Sequence, residues 1–130
     1  MAEDTRILVV DDEEEFVVYL AWLLKETNRF EVDVAYSGKK ALEMMEDKEY
    51  ALLVTDVRMP GMDGMELTLK VRDKRPDMPI IVMTGYPSRK YPENSFNLGS
   101  ITYIVKPFQV EDFIKLVSTI LDDEKQTKET

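Results

Sequence analysis

Five short apolar runs, each separated from the next by a longer amphipathic or turn-rich stretch, constrain this chain more than any other feature. "RILVV" (6–10), "EVDVAY" (31–36), "YALLVT" (50–55), "PIIVMT" (79–84) and "SITYIV" (100–105) have strand length and many β-branched residues. After the first run, Phe16, Val17, Leu20, Leu23 and Leu24 recur at helical spacing, and Glu13, Glu14 and Glu15 suit a helix's positive N-terminal end. Ser37 is a good N-cap for a helix through "GKKALEMMEDK". Residues 64–75, after the Pro60-Gly61 turn, read as a third helix, and Val110, Phe113, Ile114, Val117, Ile120 and Leu121 line a last one. Strands alternating with helices imply βαβ units, hence a doubly wound α/β fold: a five-stranded parallel sheet covered on both faces, a three-layer sandwich. Right-handed crossovers leave few topologies.

Two segments carry separate expectations. "YPSRKYPENSFNLG" (86–99) should hold the fourth helix, but Pro87 and Pro92 remove hydrogen bonds and crowd the preceding turn. A short helix from Pro92 onward, or a poorly ordered segment, is expected there. The polar "DDEKQTKET" at the end should fray, giving a folded unit over 1–122 and a tail over 123–130.

Composition narrows the chemistry. A length of 130 residues supports one core. With no Cys and no His, the chain lacks thiolate sites, the commonest general base and the commonest metal ligand. Any metal must sit on oxygens, which favours a hard ion such as magnesium. A net charge of −9 argues against direct nucleic-acid binding. No apolar run approaches membrane-spanning length, and "MAEDTRILVV" lacks a basic flank and cleavage site, so a cytoplasmic address is the expectation.

In an open parallel sheet, ligands gather outside the carboxyl ends of the strands. Strand one runs into Asp11 and Asp12, strand three into Asp56, strand four into Thr84, and strand five into Lys106-Pro107. Three carboxylates, a hydroxyl and an ammonium therefore converge on one edge. Clustered carboxylates repel unless a cation joins them. A carboxylate can attack phosphorus, and the transfer then depends on positioning and charge neutralisation by metal and Lys. Each residue also has a plainer use: Asp11 or Asp12 as a helix cap, Asp56 as a turn former, Lys106 as a solvated strand end, and Thr84 as an ordinary strand residue. Met59, Met62 and Met65 read as gap fillers. Trp22 and Tyr19 flank the first helix's apolar stripe and carry no assigned function.

The pieces "ILVVDDEE", "VAYSGKKALEMM", "LLVTDVRMPGMDGMEL", "PIIVMTG" and "YIVKPF", in this order and spacing, make the chain resemble the receiver domain of two-component response regulators over about residues 5–122. The resemblance implies a flavodoxin-like strand order 2-1-3-4-5. It implies that Asp56 is the phosphoacceptor and that Asp12 and Asp56 ligate magnesium directly, with the Arg58 backbone carbonyl, while Asp11 acts through water. Lys106 would bind phosphate, Thr84 and Tyr103 would be the switch hydroxyl and aromatic, and the Lys106–Pro107 bond would be cis. The implied partners are a histidine kinase or phosphotransfer protein upstream and an effector protein or domain downstream. The implied output face comprises the fourth helix, fifth strand and fifth helix, with a possible homodimer on phosphorylation. The implied activity is that of a switch rather than a metabolic enzyme, with self-phosphorylation from small donors and autodephosphorylation.

Arg58 and Tyr86, two residues after Asp56 and Thr84, are bulky, and their placement suggests that they shield the phosphoryl group from water. Three rivals stand beside this reading. A flavin electron carrier wants a hydroxyl- and glycine-rich loop after strand one, where this chain has "DDEEEF". A phosphorylation-independent interaction module would not need the full acidic and Lys set. A hydrolase with Asp11 or Asp12 as nucleophile accounts less well for Asp56 and Lys106.

Overall fold

The β-branched runs form the sheet. The structure, a computed structural model, describes residues 5–85 and 101–129, with side chains through residue 122. The elements in order are β1 (Arg6–Val10), α1 (Glu14–Glu26), β2 (Glu31–Ala35), α2 (Gly38–Asp47), β3 (Leu52–Asp56), α3 (Gly64–Lys74), β4 (Ile80–Thr84), β5 (Ile101–Val105) and α4 (Val110–Glu129). All neighbouring strands pair in parallel, in the order β2-β1-β3-β4-β5. This is the doubly wound, flavodoxin-like sheet expected from the sequence. The helix anticipated over 86–99, with Pro87, Pro92 and Tyr86, lies outside the described residues, so α4 is the C-terminal helix.

Successive strand residues point to opposite faces, so each central strand feeds two cores. On one face Ile7, Val9, Leu52, Val54, Ile81 and Met83 meet Val17, Leu20 and Leu24 of α1 and Phe113, Val117 and Leu121 of α4. On the other, Leu8, Val10, Leu53, Ile80 and Val82 meet Ala41 and Met45 of α2 and Leu67 and Val71 of α3. Each fully buried Leu, Ile or Val contributes about 1.5–3 kcal/mol relative to exposure. Burial on both faces explains why β1, β3 and β4 read as continuous apolar runs, whereas the edge strand β2, only partly buried, alternates. Met59, Met62 and Met65 pack against the α2–α3 core, as gap fillers should.

Local signals set the element ends. Ser37 Oγ accepts the Lys40 N–H at 3.1 Å to cap α2, and Asp63 Oδ1 accepts the Glu66 N–H at 2.9 Å to cap α3. Buried Arg72 closes the exit of α3 by donating to the carbonyls of Arg75, Pro76 and Met78. One strand boundary is corrected, and the last helix is longer than its apolar stripe. β3 runs over 52–56 rather than 50–55, so Asp56 itself is a strand residue; Tyr50 precedes the strand and donates its hydroxyl to Asp33 Oδ2 at 2.7 Å. The residues expected to fray continue α4 to Glu129. They contain no Gly or Pro, and Glu, Lys and Gln are good helix formers, so nothing local stops the helix.

Candidate functional site

The backbone aligns the carboxyl ends of the strands. Asp11 N–H donates to Ala35 O (3.2 Å), Val57 N–H to Met83 O (3.1 Å) and Lys106 N–H to Thr84 O (2.8 Å), extending the ladders just past β1, β3 and β5. Asp56 is the last residue of β3 and is buried. The loop behind it folds straight back: Gly64 N–H donates to Val57 O at 2.8 Å, and a Cβ on Gly64 would lie 2.0 Å from the Asp56 carbonyl oxygen. Only glycine fits at the start of α3. Gly61, at φ 77°, supplies the left-handed turn of the same loop.

Asp56 Oδ1 lies 2.7 Å from Lys106 Nζ, and Asp56 Oδ2 accepts the Arg58 N–H at 3.1 Å. Asp11 is fully buried; its Oδ1 accepts the Glu13 N–H at 3.1 Å. Asp11 Oδ2 makes no hydrogen bond among the described residues and lies 3.6 Å from Lys106 Nζ. Asp12 is exposed, and one carboxylate oxygen from each of Asp11, Asp12 and Asp56 lies within 4.8 Å of the others. Thr84 is buried at the end of β4. Tyr103 packs half-buried against the α2–α3 core. Arg58 is exposed on the loop after Asp56. The Lys106–Pro107 bond is cis, as expected.

Of the plainer readings, the turn former holds for Asp56, whereas the helix-cap reading of Asp11 and Asp12 does not: Glu13 is the N-cap of α1 and no side chain caps it. Both Asp11 and Asp56 accept the N–H two residues ahead, the bond of an Asx turn. A turn former, however, does not require a second and third carboxylate nearby.

Electrostatics give the cluster its character. Burial pushes the Asp11 carboxyl up to about 6; the Glu13 N–H pulls down, and the Asp56 charge pushes further up. Burial would lower the Lys106 ammonium, but the hydrogen bond to Asp56 and the charges of Asp56, Asp11 and Glu13 outweigh it and raise its pKa. Lys106 therefore stays charged. An orphaned buried carboxylate oxygen, close to two further carboxylates with no nitrogen or sulfur ligand among them, fits a small hard cation.

Two neighbours of Lys106 escaped the sequence reading. Phe16 presents its ring 4.7 Å from Lys106 Nζ, and Glu13 Oε1 lies 4.0 Å away. Phe16 was legible only as part of an apolar stripe. Its position in the first turn of α1, directly after a strand's carboxyl end, was the available clue.

The response regulator receiver domain family matches residues 7–118. Transcriptional regulatory protein ResD of Bacillus subtilis is 34% identical over 124 residues, covering 95% of this chain and 51% of the relative. Transcriptional regulatory protein ZraR of Salmonella typhimurium is also 34% identical, over 95% of this chain and 27% of the relative. The chain thus spans about half or about a quarter of the length of these relatives. Among solved structures, a CheY-like receiver domain protein from Methanospirillum hungatei superposes with a TM-score of 0.88 at 31% identity, covering 96% of this chain and 99% of that one. A two-component response regulator from Clostridium difficile gives 0.83 at 27% identity, covering 92% and 97%. Fold and sequence agree over the same span, and the chain belongs to the response regulator receiver domain family of two-component systems.

Proposed function

We propose that the chain is a phosphorylatable switch in which Asp56 accepts a phosphoryl group from a phosphohistidine of a histidine kinase or phosphotransfer protein, or from a small phosphodonor. The observation that carries this reading is the 2.7 Å contact of Lys106 with a buried strand-end carboxylate that has two more carboxylates beside it. An Asp56 carboxylate oxygen attacks phosphorus, the new P–O bond forms, the bond to the donor nitrogen breaks, and the imidazole leaves with a proton from solvent. Lys106 transfers its contact from the carboxylate to a phosphoryl oxygen, and the Thr84 hydroxyl donates to another. Asp11, Asp12, Asp56 and the Arg58 carbonyl are the residues that would hold magnesium. When bound, the ion neutralises the charge that gathers as carboxylate and phosphoryl group meet. Water later attacks phosphorus, the bond from phosphorus to the Asp56 oxygen breaks, and inorganic phosphate leaves the regenerated carboxylate.

The signal is a population shift. The phosphoryl group brings charge and acceptor oxygens, Thr84 moves toward it, and Tyr103 repacks on β5. A complete reversal of a two-state equilibrium requires about 5.5 kcal/mol of differential interaction. The reshaped face around β5 and α4 then meets an effector protein or domain or a second copy. Among the described residues no helix is long and apolar enough to cross a membrane, which accords with a cytoplasmic switch.

Incubation with acetyl phosphate and magnesium, read by intact mass, tests the proposal. A phosphoryl mass increment that needs magnesium and disappears in Asp56→Asn is the expected result. No increment from either acetyl phosphate or a phosphorylated kinase would refute it and favour a phosphorylation-independent module.

A further inference from the structure

We propose that Phe16 is a positioning residue: its ring face holds the Lys106 ammonium at the acceptor carboxylate. The inference rests on reading Asp56 as the phosphoacceptor. The Lys106 Nζ lies 4.7 Å from the Phe16 ring centroid, within cation–π range. A Lys side chain is long and loses much rotamer entropy when fixed, so a charge that must sit at one point needs more than one contact. The carboxylates supply only one at hydrogen-bonding distance: Asp56 at 2.7 Å, against 3.6 Å for Asp11 and 4.0 Å for Glu13. That single close partner is the group that reacts. Once Asp56 becomes an acyl phosphate, the carboxylate loses its own charge and the ammonium's contact must pass to a phosphoryl oxygen. The ring attraction does not depend on the state of Asp56, so it keeps Lys106 in place before and after transfer.

The ring is itself fixed. Phe16 meets Phe108 with centroids 6.2 Å apart and planes at 57°. Phe108 stacks on Phe113 at 5.4 Å and 22°, and Phe113, on α4, is fully buried. These separations are those of favourable aromatic pairs. A chain of three rings therefore runs from the core to the ammonium, and the first turn of α1 sets the position of a residue that follows β5. Asp11 adds to the need for such an anchor, because it competes with Asp56 for the same ammonium from 3.6 Å.

The test has one arm that needs no phosphorylation and one that does. In the unphosphorylated protein, the Lys106 ε-methylene protons should resonate upfield by ring current. Phe16→Leu should remove that shift, and Phe16→Trp should keep it. With acetyl phosphate and magnesium, Phe16→Leu should lower the labelling rate about fivefold, the factor that about 1 kcal/mol of cation–π attraction sets. Phe16→Trp should restore the rate. In a Lys106→Met background, Phe16→Leu should cost nothing further, which a merely structural Phe16 would not satisfy. An ε-methylene resonance unchanged by Phe16→Leu, or an equal fivefold loss with and without Lys106, would overturn the proposal. A wild-type protein that takes no phosphoryl group from any donor refutes the acceptor reading instead. The resonance arm still decides whether the ring holds the ammonium.

Discussion

Replacing Asp11 by Asn should stabilise this protein in the absence of divalent cations. Asp11 is fully buried, and its carboxyl is raised from an ordinary 3.8 to about 6. An acid whose folded pKa lies above its unfolded value binds more protons in the folded state across the interval between them. Stability therefore falls as pH rises from about 4 to about 6, and the full penalty applies above that. At about 1.36 kcal/mol per pK unit, the shift sets a ceiling of roughly 3 kcal/mol at neutral pH. Asn keeps an oxygen to accept the Glu13 N–H, although a neutral acceptor is weaker than a charged one, which trims the gain. A net gain of about 1–2 kcal/mol remains, or a Tm rise of roughly 4–8 °C for a domain of this size. Calorimetry in EDTA at pH 7.5 and at pH 4 checks it, and the gain should shrink toward zero at the lower pH. A variant with an unchanged or lower Tm at pH 7.5, or one with the same gain at both pH values, would refute the electrostatic argument. Millimolar magnesium should narrow the difference, because a ligand that binds only the folded cluster stabilises the wild type by mass action.

Gly64→Ala should cost about 2–4 kcal/mol in urea unfolding, because its Cβ would lie 2.0 Å from the Asp56 carbonyl oxygen and the backbone must shift. The same variant should label more slowly with acetyl phosphate even where it remains folded, since the displaced residue is the proposed acceptor. Phe113→Ala, at a position with no solvent exposure, should destabilise by about 3–5 kcal/mol by the same unfolding measurement. Arg58→Ala should hasten loss of the phosphoryl group, read as a shortened half-life by intact mass. Its exposed side chain leaves the loop that carries Asp56, and an unchanged half-life would remove Arg58 from the account of shielding.

The sheet was legible because its physics is short-ranged. β-Branched runs such as "PIIVMT" can bury both faces only inside a parallel sheet with helices on either side, and Ser37 announces the helix that it caps. The strand ends brought Asp11, Asp12, Asp56, Thr84 and Lys106 to one edge through topology alone, before any distance was known. Less legible were contacts set by packing. Phe16 and Val17 read alike as members of one apolar stripe, yet one ring lies by an ammonium while the other side chain fills the core. The need for glycine at position 64 is equally silent, since it arises from an approach to Asp56 eight residues earlier. At the C-terminus, composition marks "DDEKQTKE" as polar but does not show that helix continues through it to Glu129.

The strand order also bears on how the molecule is assembled during synthesis. β2, β1 and β3 are neighbours in the sheet and contiguous in sequence over residues 6–56. An emerging chain can therefore bring Asp11, Asp12 and Asp56 together long before residue 106 is made, since domains build from the N-terminal side as they leave the ribosome. The nascent half carries the mutual repulsion of three carboxylates without the ammonium that relieves it. Docking of β5 against β4 delivers Lys106, and with it the charge that the earlier half lacks. Truncation anywhere before that strand leaves the acidic edge without the Lys106 ammonium, so the repulsion among the three carboxylates is first relieved from within the chain when β5 docks.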